Sequence, residues 1–346
     1  MNLRVAHRAA LSIYDKILLC HSEKNSNELR KYLDNGFIGV YYWSHALIAR
    51  DWFRYAEIDP LLKNNNAQPT KDFLIYNRAW SGTREYRLKF AELINEMGLV
   101  NSCKMTFRAV DDDVHYTQHK YKNSSFDISN HTLETIFPIN TASSCSSADY
   151  TNSDYATCGA EVVLETLFDD NRIQLTEKSL RPIACGKPFI LASTPGSLEY
   201  IRSYGFKTFA PWINESYDTI IDPLERLTAI VQEMKRISIL SPEQKQAMRE
   251  SLCEITQYNK NLFFSKQWYD SIVQEYITNL TQALAELDQY KLGTYWKQVF
   301  DPELNDEIIR SVVLNSNGHK INQMLQNNQD TLSTIPSQLS PGASLE

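Results

Sequence analysis

The sequence lacks the features that mark membrane proteins, disulfide-rich secreted proteins and fibrous proteins. No apolar run approaches the ~20 residues that a membrane-spanning helix needs. The 6 cysteines include no C-x-x-C pair, which argues against a disulfide framework and against the common zinc sites. The 11 glycines and 12 prolines are too few for a fibrous chain. Residues 1–20 carry two arginines and a histidine where a signal peptide has its apolar stretch, so we expect a soluble, cytoplasmic protein.

Four familiar catalytic and nucleotide-binding motifs are also missing. The sequence contains no Walker A loop, no G-x-G-x-x-G, no G-x-S-x-G and no H-E-x-x-H. It therefore gives no sign of the enzyme classes that those motifs mark.

The length and the distribution of charge are informative. At roughly 150 residues per domain, 346 residues make about two domains with a substantial core. The net charge of the chain is -7, but residues 1–110 carry +5 and residues 111–346 carry -12. An anionic ligand is therefore expected to bind in the first part of the chain, although ordinary solvated surface also produces such an imbalance.

Apolar runs and helical periodicity alternate through the first two thirds of the chain, which predicts an α/β fold with parallel strands. The predicted strands are residues 16–20, 37–42, 73–76, 161–166, 188–192 and 206–209. The predicted helices are residues 28–33, 44–56 with Ser44 as cap, 85–97, 176–185, 196–203, 223–237, 242–254 and 266–287.

Composition changes along the chain predict four segments. Residues 1–69 form a small α/β unit, which a polar, proline-containing break separates from the next segment. Residues 70–237 form a Rossmann-like domain, in which residues 111–157 are mainly excursion loops. Residues 238–314 form helices that pack across the two preceding segments. Residues 315–346 are rich in Asn, Gln, Ser and Pro and form a flexible tail.

The strongest local signal is the T-E-K segment at residues 176–178. Thr176 can cap a helix, whose first free N–H groups and positive dipole end would favour a phosphate beside Lys178. Glu177 is an acceptor suited to ribose hydroxyls. The segment is thus complementary to a nucleoside diphosphate, although a surface cap with a solvated lysine has the same sequence.

Two arginines follow the predicted strand at residues 73–76. Arg78 and Arg84 flank Gly82 in a strand-to-helix turn, and two guanidiniums there suit a bidentate diphosphate clamp. In an open parallel sheet they would share the ligand-binding edge with Lys178. The alternative is an ordinary surface turn.

These segments together resemble the donor-binding half of fucosyltransferases of GT-B type, whose pattern reads roughly F-E-N-S, V-T-E-K and G-x-x-P-V. The matching residues are Glu165, residues 176–178, Gly186 and Pro188, and the resemblance covers residues 72–236. Thr166 stands where that family has Asn, and the loop before T-E-K is longer here.

The resemblance implies a GT-B-like fold, with two Rossmann-like units whose parallel sheets face a cleft. Residues 1–69 would be the acceptor side and residues 70–237 the donor domain. Glu177 and Lys178 would hold the ribose and phosphate of a nucleoside-diphosphate sugar, Arg84 or Arg78 would pair with the diphosphate, and Glu165 would orient the site. Because that family binds its donor without a D-x-D motif, we interpret Asp111–Asp113 as a solvated loop and expect no tightly bound metal.

The base that activates the acceptor is expected to come from the first unit. Glu23 and His45 both follow strands of that unit and are the candidates. A solvated loop carboxylate and a packed histidine are the alternative interpretations.

The acceptor is open. Residues 42–45, 77–87 and the T-E-K segment also resemble uncharacterised bacteriophage proteins, and phage glycosyltransferases often modify hydroxymethylated DNA bases. DNA in the host cytoplasm is therefore one possible partner, although the acidic chain has no long basic stripe. A glycan or lipid-linked acceptor is a second, and a non-catalytic nucleotide-sugar-binding module is a third. No membrane docking is expected, because no basic amphipathic helix is present.

Overall fold

The computed structural model describes residues 7, 10, 14, 16–63, 69–139 and 147–288. The predicted tail at 315–346 and the end of the predicted helical segment, 289–314, lie outside the described residues. The chain divides into two compact units. The larger consists of Leu19–Leu33 and Gly39–Leu280, and the described residues of the smaller come from Met1–Leu18, Asp34–Ile38 and Thr281–Glu346. The predicted boundaries at 69/70 and 237/238 both fall inside the larger unit and stay predictions.

Helices and strands alternate up to about residue 203, after which helices dominate. The strands are β1 (Ile17–His21), β2 (Phe37–Tyr41), β3 (Lys71–Ile75), β4 (Cys103–Met105), β5 (Val110–Asp111), β6 (Val114–His115), β7 (Cys158–Leu164) and β8 (Phe189–Ala192). The α-helices are α1 (Asn27–Leu33), α2 (Ser44–Trp52), α3 (Pro60–Lys63), α4 (Tyr86–Glu96), α5 (Leu133–Ile136), α6 (Asn152–Thr157), α7 (Glu177–Ala184), α8 (Ser197–Ser203), α9 (Pro223–Ser238), α10 (Pro242–Phe264) and α11 (Lys266–Asp288). Short 3-10 helices are Arg54–Glu57, Gly82–Arg84, Val100–Ser102, Tyr116–Gln118, Ser124–Phe126 and Glu215–Thr219.

A four-stranded parallel sheet in the order β4-β3-β7-β8 is the centre of the larger unit. Phe73 of β3 lies opposite Cys103 of β4 on one side and Ala160 of β7 on the other. The last three residues of β3, most of β7 and all of β8 are buried and mainly apolar, as expected for a parallel sheet covered on both faces. The α/β class with parallel strands and carboxy-terminal helices is thereby confirmed. Strands β1 and β2 form a separate two-stranded sheet.

Local sequence signals explain where the main helices begin. Asp222 caps α9 by accepting a hydrogen bond from the Glu225 amide, and Ser241 and Gln244 form a capping box at the start of α10. Proline occupies the first turn of both helices, where its missing N–H is harmless. At the other end of α7, Gly186 adopts a φ of 67°, a left-handed conformation that glycine adopts without steric cost.

A buried ion pair docks α7 onto β7. Arg181 Nη2 donates to Glu161 Oε1 at 2.6 Å, and both side chains are almost fully buried. The Tyr155 hydroxyl completes the group, since it accepts from Arg181 Nε at 3.0 Å and donates to Glu161 Oε2. Burial opposes the charged form of Arg181, but the charge of the Glu161 carboxylate and its hydrogen bond outweigh burial and raise the pKa of Arg181 well above its ordinary value. The middle of α7 is thus fixed to the middle of β7.

Several local predictions are wrong. Residues 206–209 are not a strand, because both main-chain groups of Lys207 are bound by the Asn259 side chain at 2.8 Å. Ser44 does not cap α2, whose N-cap is Trp43 without a side-chain hydrogen bond. The helix predicted at 242–254 continues to Phe264, and β4 has no counterpart among the predicted strands.

The acidic run Asp111–Asp113 is also different from the solvated loop that we predicted. Asp111 is buried, and its Oδ2 accepts hydrogen bonds from the backbone amides of Trp80 and Ser81 at 2.9 and 2.8 Å. Asp112 and Asp113 have φ angles of 48° and 60° and form the two-residue turn between β5 and β6. The run therefore builds a hairpin and anchors the turn after β3.

Candidate functional site

The candidate site lies where β3 and β7 end. These strands are parallel neighbours, so the segments that follow them leave the sheet at the same edge, where open parallel sheets bind ligands. A hydrogen bond joins the two segments directly, because Thr83 Oγ1 donates to the Thr166 carbonyl at 2.9 Å. The structure thus brings the predicted turn after β3 next to the segment that leads to α7.

Glu165 is the centre of the hydrogen bonds at the start of α7. Its carboxylate accepts from the Thr176 amide at 3.0 Å, from the Thr176 hydroxyl at 2.7 Å and from the Ser179 hydroxyl at 2.6 Å. Burial opposes ionisation of this group, but the charge of Lys178 and the hydrogen bonds from Ser179 and Thr176 hold its pKa below the ordinary value. Because the side chain is fully buried, Glu165 orients the helix start and does not face a ligand.

Lys178 presents a cation at this helix start. Its Nζ lies 2.9 Å from Thr176 Oγ1, 3.1 Å from Glu177 Oε1 and 3.4 Å from Thr166 Oγ1. The side chain keeps 21% exposure, so the ammonium group is positioned but still reachable from solvent. The expected free amide at Lys178 is instead bound by the Thr176 hydroxyl, at 3.4 Å. An anion at this helix start would therefore be held mainly by the Lys178 side chain.

His45 lies beside the same group. Its Nε2 is 3.9 Å from Glu177 Oε2, which is longer than a hydrogen bond, and its side chain is 24% exposed. Burial lowers the pKa of His45 below its ordinary value, against the carboxylates of Glu177 and Glu165. The imidazole is therefore neutral at neutral pH. The preceding Trp43 is anchored, because its Nε1 donates to the Leu175 carbonyl at 2.9 Å.

Arg78 is placed without a hydrogen-bond acceptor. Its Nη1 is buried and makes no hydrogen bond within the described residues, and its guanidinium lies 4.8 Å from the centre of the Tyr76 ring. Burial and the nearby positive charge of Arg181 lower the pKa of Arg78. A buried donor without a partner costs roughly 1–3 kcal/mol, which an anionic ligand would recover.

Arg84 has different neighbours. Its guanidinium turns back on Ser81, with Nε donating to the carbonyl at 3.1 Å and Nη2 to the hydroxyl at 3.3 Å. Burial and the charge of Arg87 lower its pKa, while Asp111 opposes them. The structure therefore does not give Arg78 and Arg84 the shared set of contacts that a clamp would have.

Glu23 is engaged in an ion pair. Its Oε1 lies 3.4 Å from Nη1 of Arg172, whose guanidinium is held mainly by Asp170 at 2.6 Å. Next to it, Lys24 and Ile173 exchange two backbone hydrogen bonds of 3.0 Å each. These contacts fasten the segment after β1 to the segment that enters α7.

Ser179 and Arg172 did not stand out in the sequence, and Thr166 was noted only as a departure from the fucosyltransferase pattern. Thr166 and Ser179 supply hydroxyls to Lys178 and Glu165, and Arg172 adds a cation near Glu23. The sequence T-E-K-S could have pointed to Ser179. It is the third residue of α7, and the third residue of a helix lies close to the N-cap residue, which is Thr176 here. Among the described residues, no group of three or more His, Cys, Asp or Glu side chains is arranged to hold a metal, and no helix is long and apolar enough to span a membrane.

Comparison of the chain with protein-family models, with curated proteins and with solved structures gives no match.

Proposed function

We propose that the larger unit binds a nucleoside-diphosphate sugar and transfers the sugar to an acceptor hydroxyl. One observation carries the proposal: the Lys178 ammonium is held, still partly exposed, at the start of a helix at the carboxyl edge of a parallel sheet. The dipole of the helix favours an anion there by roughly 0.3–1 kcal/mol. The lysine adds its own positive charge, which the ion pair with Glu177 partly offsets.

Neighbouring groups fit the other parts of such a donor. The Glu177 side chain is 7% exposed, and its Oε2 makes no hydrogen bond within the described residues, so this oxygen would accept one from a ribose hydroxyl. Arg78 supplies an unpaired donor to the diphosphate. Arg84 is at the same edge of the sheet but would have to leave Ser81 to reach it. The GT-B arrangement of two facing sheets is part of this proposal.

The reaction would be a direct displacement. The acceptor oxygen forms a bond to the anomeric carbon while the bond from that carbon to the diphosphate oxygen breaks, and the proton of the acceptor hydroxyl passes to a general base. The electron pair leaves with the nucleoside diphosphate, whose growing charge Lys178 and Arg78 stabilise. The acceptor is a hydroxyl of hydroxymethylated DNA, of a glycan or of a lipid-linked sugar.

The test begins with donor binding and cleavage. We would measure calorimetric binding of UDP-glucose, UDP-N-acetylglucosamine, GDP-mannose, GDP-fucose and dTDP-rhamnose, and then the release of nucleoside diphosphate with each acceptor class. Lys178→Ala is expected to weaken donor binding at least tenfold. Lys266→Ala, which removes a lysine that is 85% exposed, is the matched control and should bind as the parent does.

The outcomes separate the alternatives. Binding without release, for every acceptor and for water, would replace the transferase by a nucleotide-sugar-binding module. Equal donor affinity in the Lys178→Ala and Lys266→Ala variants would refute the proposed site.

A further inference from the structure

The segment between β4 and α5 forms a second polar site. A cavity of about 380 Å³ is lined there by imidazole, phenol, hydroxyl and carboxylate groups. These come from His119, His131, Tyr116, Tyr121, Ser124 and Asp127. No lysine or arginine contributes to this lining. The cavity is thus suited to a neutral, hydroxyl-bearing group and not to a phosphate.

Glu85 fixes one of the histidines in a definite orientation. Its Oε2 lies 3.1 Å from Nε2 of His119, and its carboxylate also accepts from the backbone amides of Lys122 and Asn123. Because the Glu85 carboxylate acts as an acceptor toward both backbone amides, it also accepts from His119, and in the neutral imidazole Nε2 then carries the proton and Nδ1 the lone pair. Nδ1 makes no hydrogen bond within the described part of the chain. His119 is therefore an oriented imidazole with a free basic nitrogen.

Tyr121 places an unpaired hydroxyl group next to that imidazole. Its ring packs against His119 with the ring centres 4.6 Å apart, and its buried hydroxyl has no hydrogen-bond partner among the described residues. Burial, together with the charges of Asp127 and Glu92, raises the pKa of Tyr121. The phenol therefore remains a donor, which an oxygen atom of a bound hydroxyl group would satisfy.

Two contacts connect this cavity to the Lys178 site. Glu85 lies two residues after Thr83, whose hydroxyl donates to the Thr166 carbonyl at 2.9 Å. The hydroxyl of Thr166 in turn contacts Lys178 Nζ. The Asn123 side chain also donates to Asp169 at 2.7 Å, in the segment that leads to α7. The same edge of the sheet therefore supports both sites.

His119 has better geometry for a base than either candidate from the sequence. Glu23 is paired with Arg172, and His45 lies 3.9 Å from its nearest carboxylate oxygen. Of the two histidines, His119 is the one whose ring is held by a carboxylate at hydrogen-bond distance.

We propose that His119, oriented by Glu85, is the general base that deprotonates a neutral acceptor hydroxyl bound in this cavity. This proposal rests on the proposed transferase function. The acceptor O–H proton moves to Nδ1 of His119 as the oxygen bonds to the anomeric carbon, and the electron pair of the broken bond leaves on the diphosphate. The imidazolium that forms is stabilised by the Glu85 carboxylate.

The test uses His119→Gln, whose amide can still donate to Glu85 but has no basic nitrogen. With the donor that the full-length protein cleaves and with water as acceptor, nucleoside diphosphate release should fall roughly 100-fold or more. Donor affinity should be unchanged, and the acidic limb of the pH–rate profile should disappear. His115→Gln, in the same segment, is the control and should behave as the parent does. Added imidazole should partly restore the rate of His119→Ala.

A second variant tests the role of Glu85 without removing the imidazole. Glu85→Gln keeps an acceptor for Nε2 but removes the charge, so the acidic limb should move to lower pH and the rate should fall. A His119→Gln rate within threefold of the parent, with an unchanged pH profile, would overturn the assignment while leaving the transferase function standing. Loss of donor binding in His119→Gln would also overturn the assignment of His119 as the base, because it would show that His119 binds the donor. A parent protein that binds and cleaves no donor would instead mean that the transferase function itself is wrong.

Discussion

The buried carboxylate of Glu165 binds Thr176 twice, through the backbone amide at 3.0 Å and through the hydroxyl at 2.7 Å. A residue at the end of a strand thereby fixes the first turn of the following helix, together with the Ser179 hydroxyl. The partly exposed Lys178 ammonium is carried on that turn. Its position is thus set by the sheet rather than by solvent-exposed contacts.

Glu165 should make stability depend on pH. Its pKa is lowered on folding, so its stabilising contribution is fully present above the unfolded value of about 4.3 and is lost as the pH falls through the lower folded value. Glu165→Gln should reduce the free energy of unfolding at pH 7 by roughly 1–3 kcal/mol, because a buried donor loses its acceptor. Urea denaturation at pH 7 and at pH 3 measures this. A difference between variant and parent that is as large at pH 3 as at pH 7 would contradict it.

Removing the charge of Arg78 should separate binding from stability. Arg78→Met eliminates a buried donor that has no acceptor, so the free energy of unfolding should change by less than about 1 kcal/mol. Affinity for the nucleoside diphosphate should fall at least tenfold. Arg54→Met, at an exposed ion pair with Asp51, is the control for the loss of one positive charge. Calorimetry and denaturant titration on the same samples provide both numbers, and an unchanged affinity would exclude Arg78 from the site.

The ion pair between Arg181 and Glu161 should be costly to break but easy to replace. Arg181→Met leaves a buried carboxylate uncompensated and should destabilise the protein by about 3–5 kcal/mol. The triple change Arg181→Met, Glu161→Met and Tyr155→Phe removes all the polar groups of the cluster and should recover most of that loss. Denaturant titration compares the two variants. Equal instability of both would show that the network itself stabilises the fold.

Tyr121→Phe should leave stability unchanged or raise it by about 1 kcal/mol, since the hydroxyl that it removes has no partner. If that hydroxyl holds the acceptor, KM for the acceptor should rise several-fold with little change in kcat. Thermal unfolding and steady-state kinetics check the two parts separately. Marked destabilisation would show that the hydroxyl has a structural partner.

The sequence predicted the parts of the site that follow directly from local pattern. Apolar runs marked β3, β7 and β8, and Thr176 caps α7 as its position before the helix indicated. β4 was not predicted, because it has only three residues and the central one is an exposed lysine. The apolar residues Phe206 and Phe209 led us to predict a strand. Both side chains are buried, but the backbone of Lys207 between them is bound by the Asn259 side chain and not by a neighbouring strand.

Side-chain direction was not readable from the sequence. Arg84 folds back on Ser81, and Glu23 meets Arg172 from a segment that is distant along the chain. His119 lies in a stretch that we predicted to be excursion loops. Its role was not predicted, because its partner Glu85 is 34 residues away in sequence. Pairs of this kind depend on tertiary packing, which periodicity does not report.

The paired backbone hydrogen bonds between Lys24 and Ile173 have a kinetic consequence. Both main-chain groups of Ile173 are committed to this bridge, so the stretch that enters α7 cannot swing outward as a flap unless two bonds break at once. An anion would therefore reach Lys178 without waiting for that stretch to open. Its association rate should then fall as the ionic strength rises, as expected for electrostatic attraction to a site that is already formed.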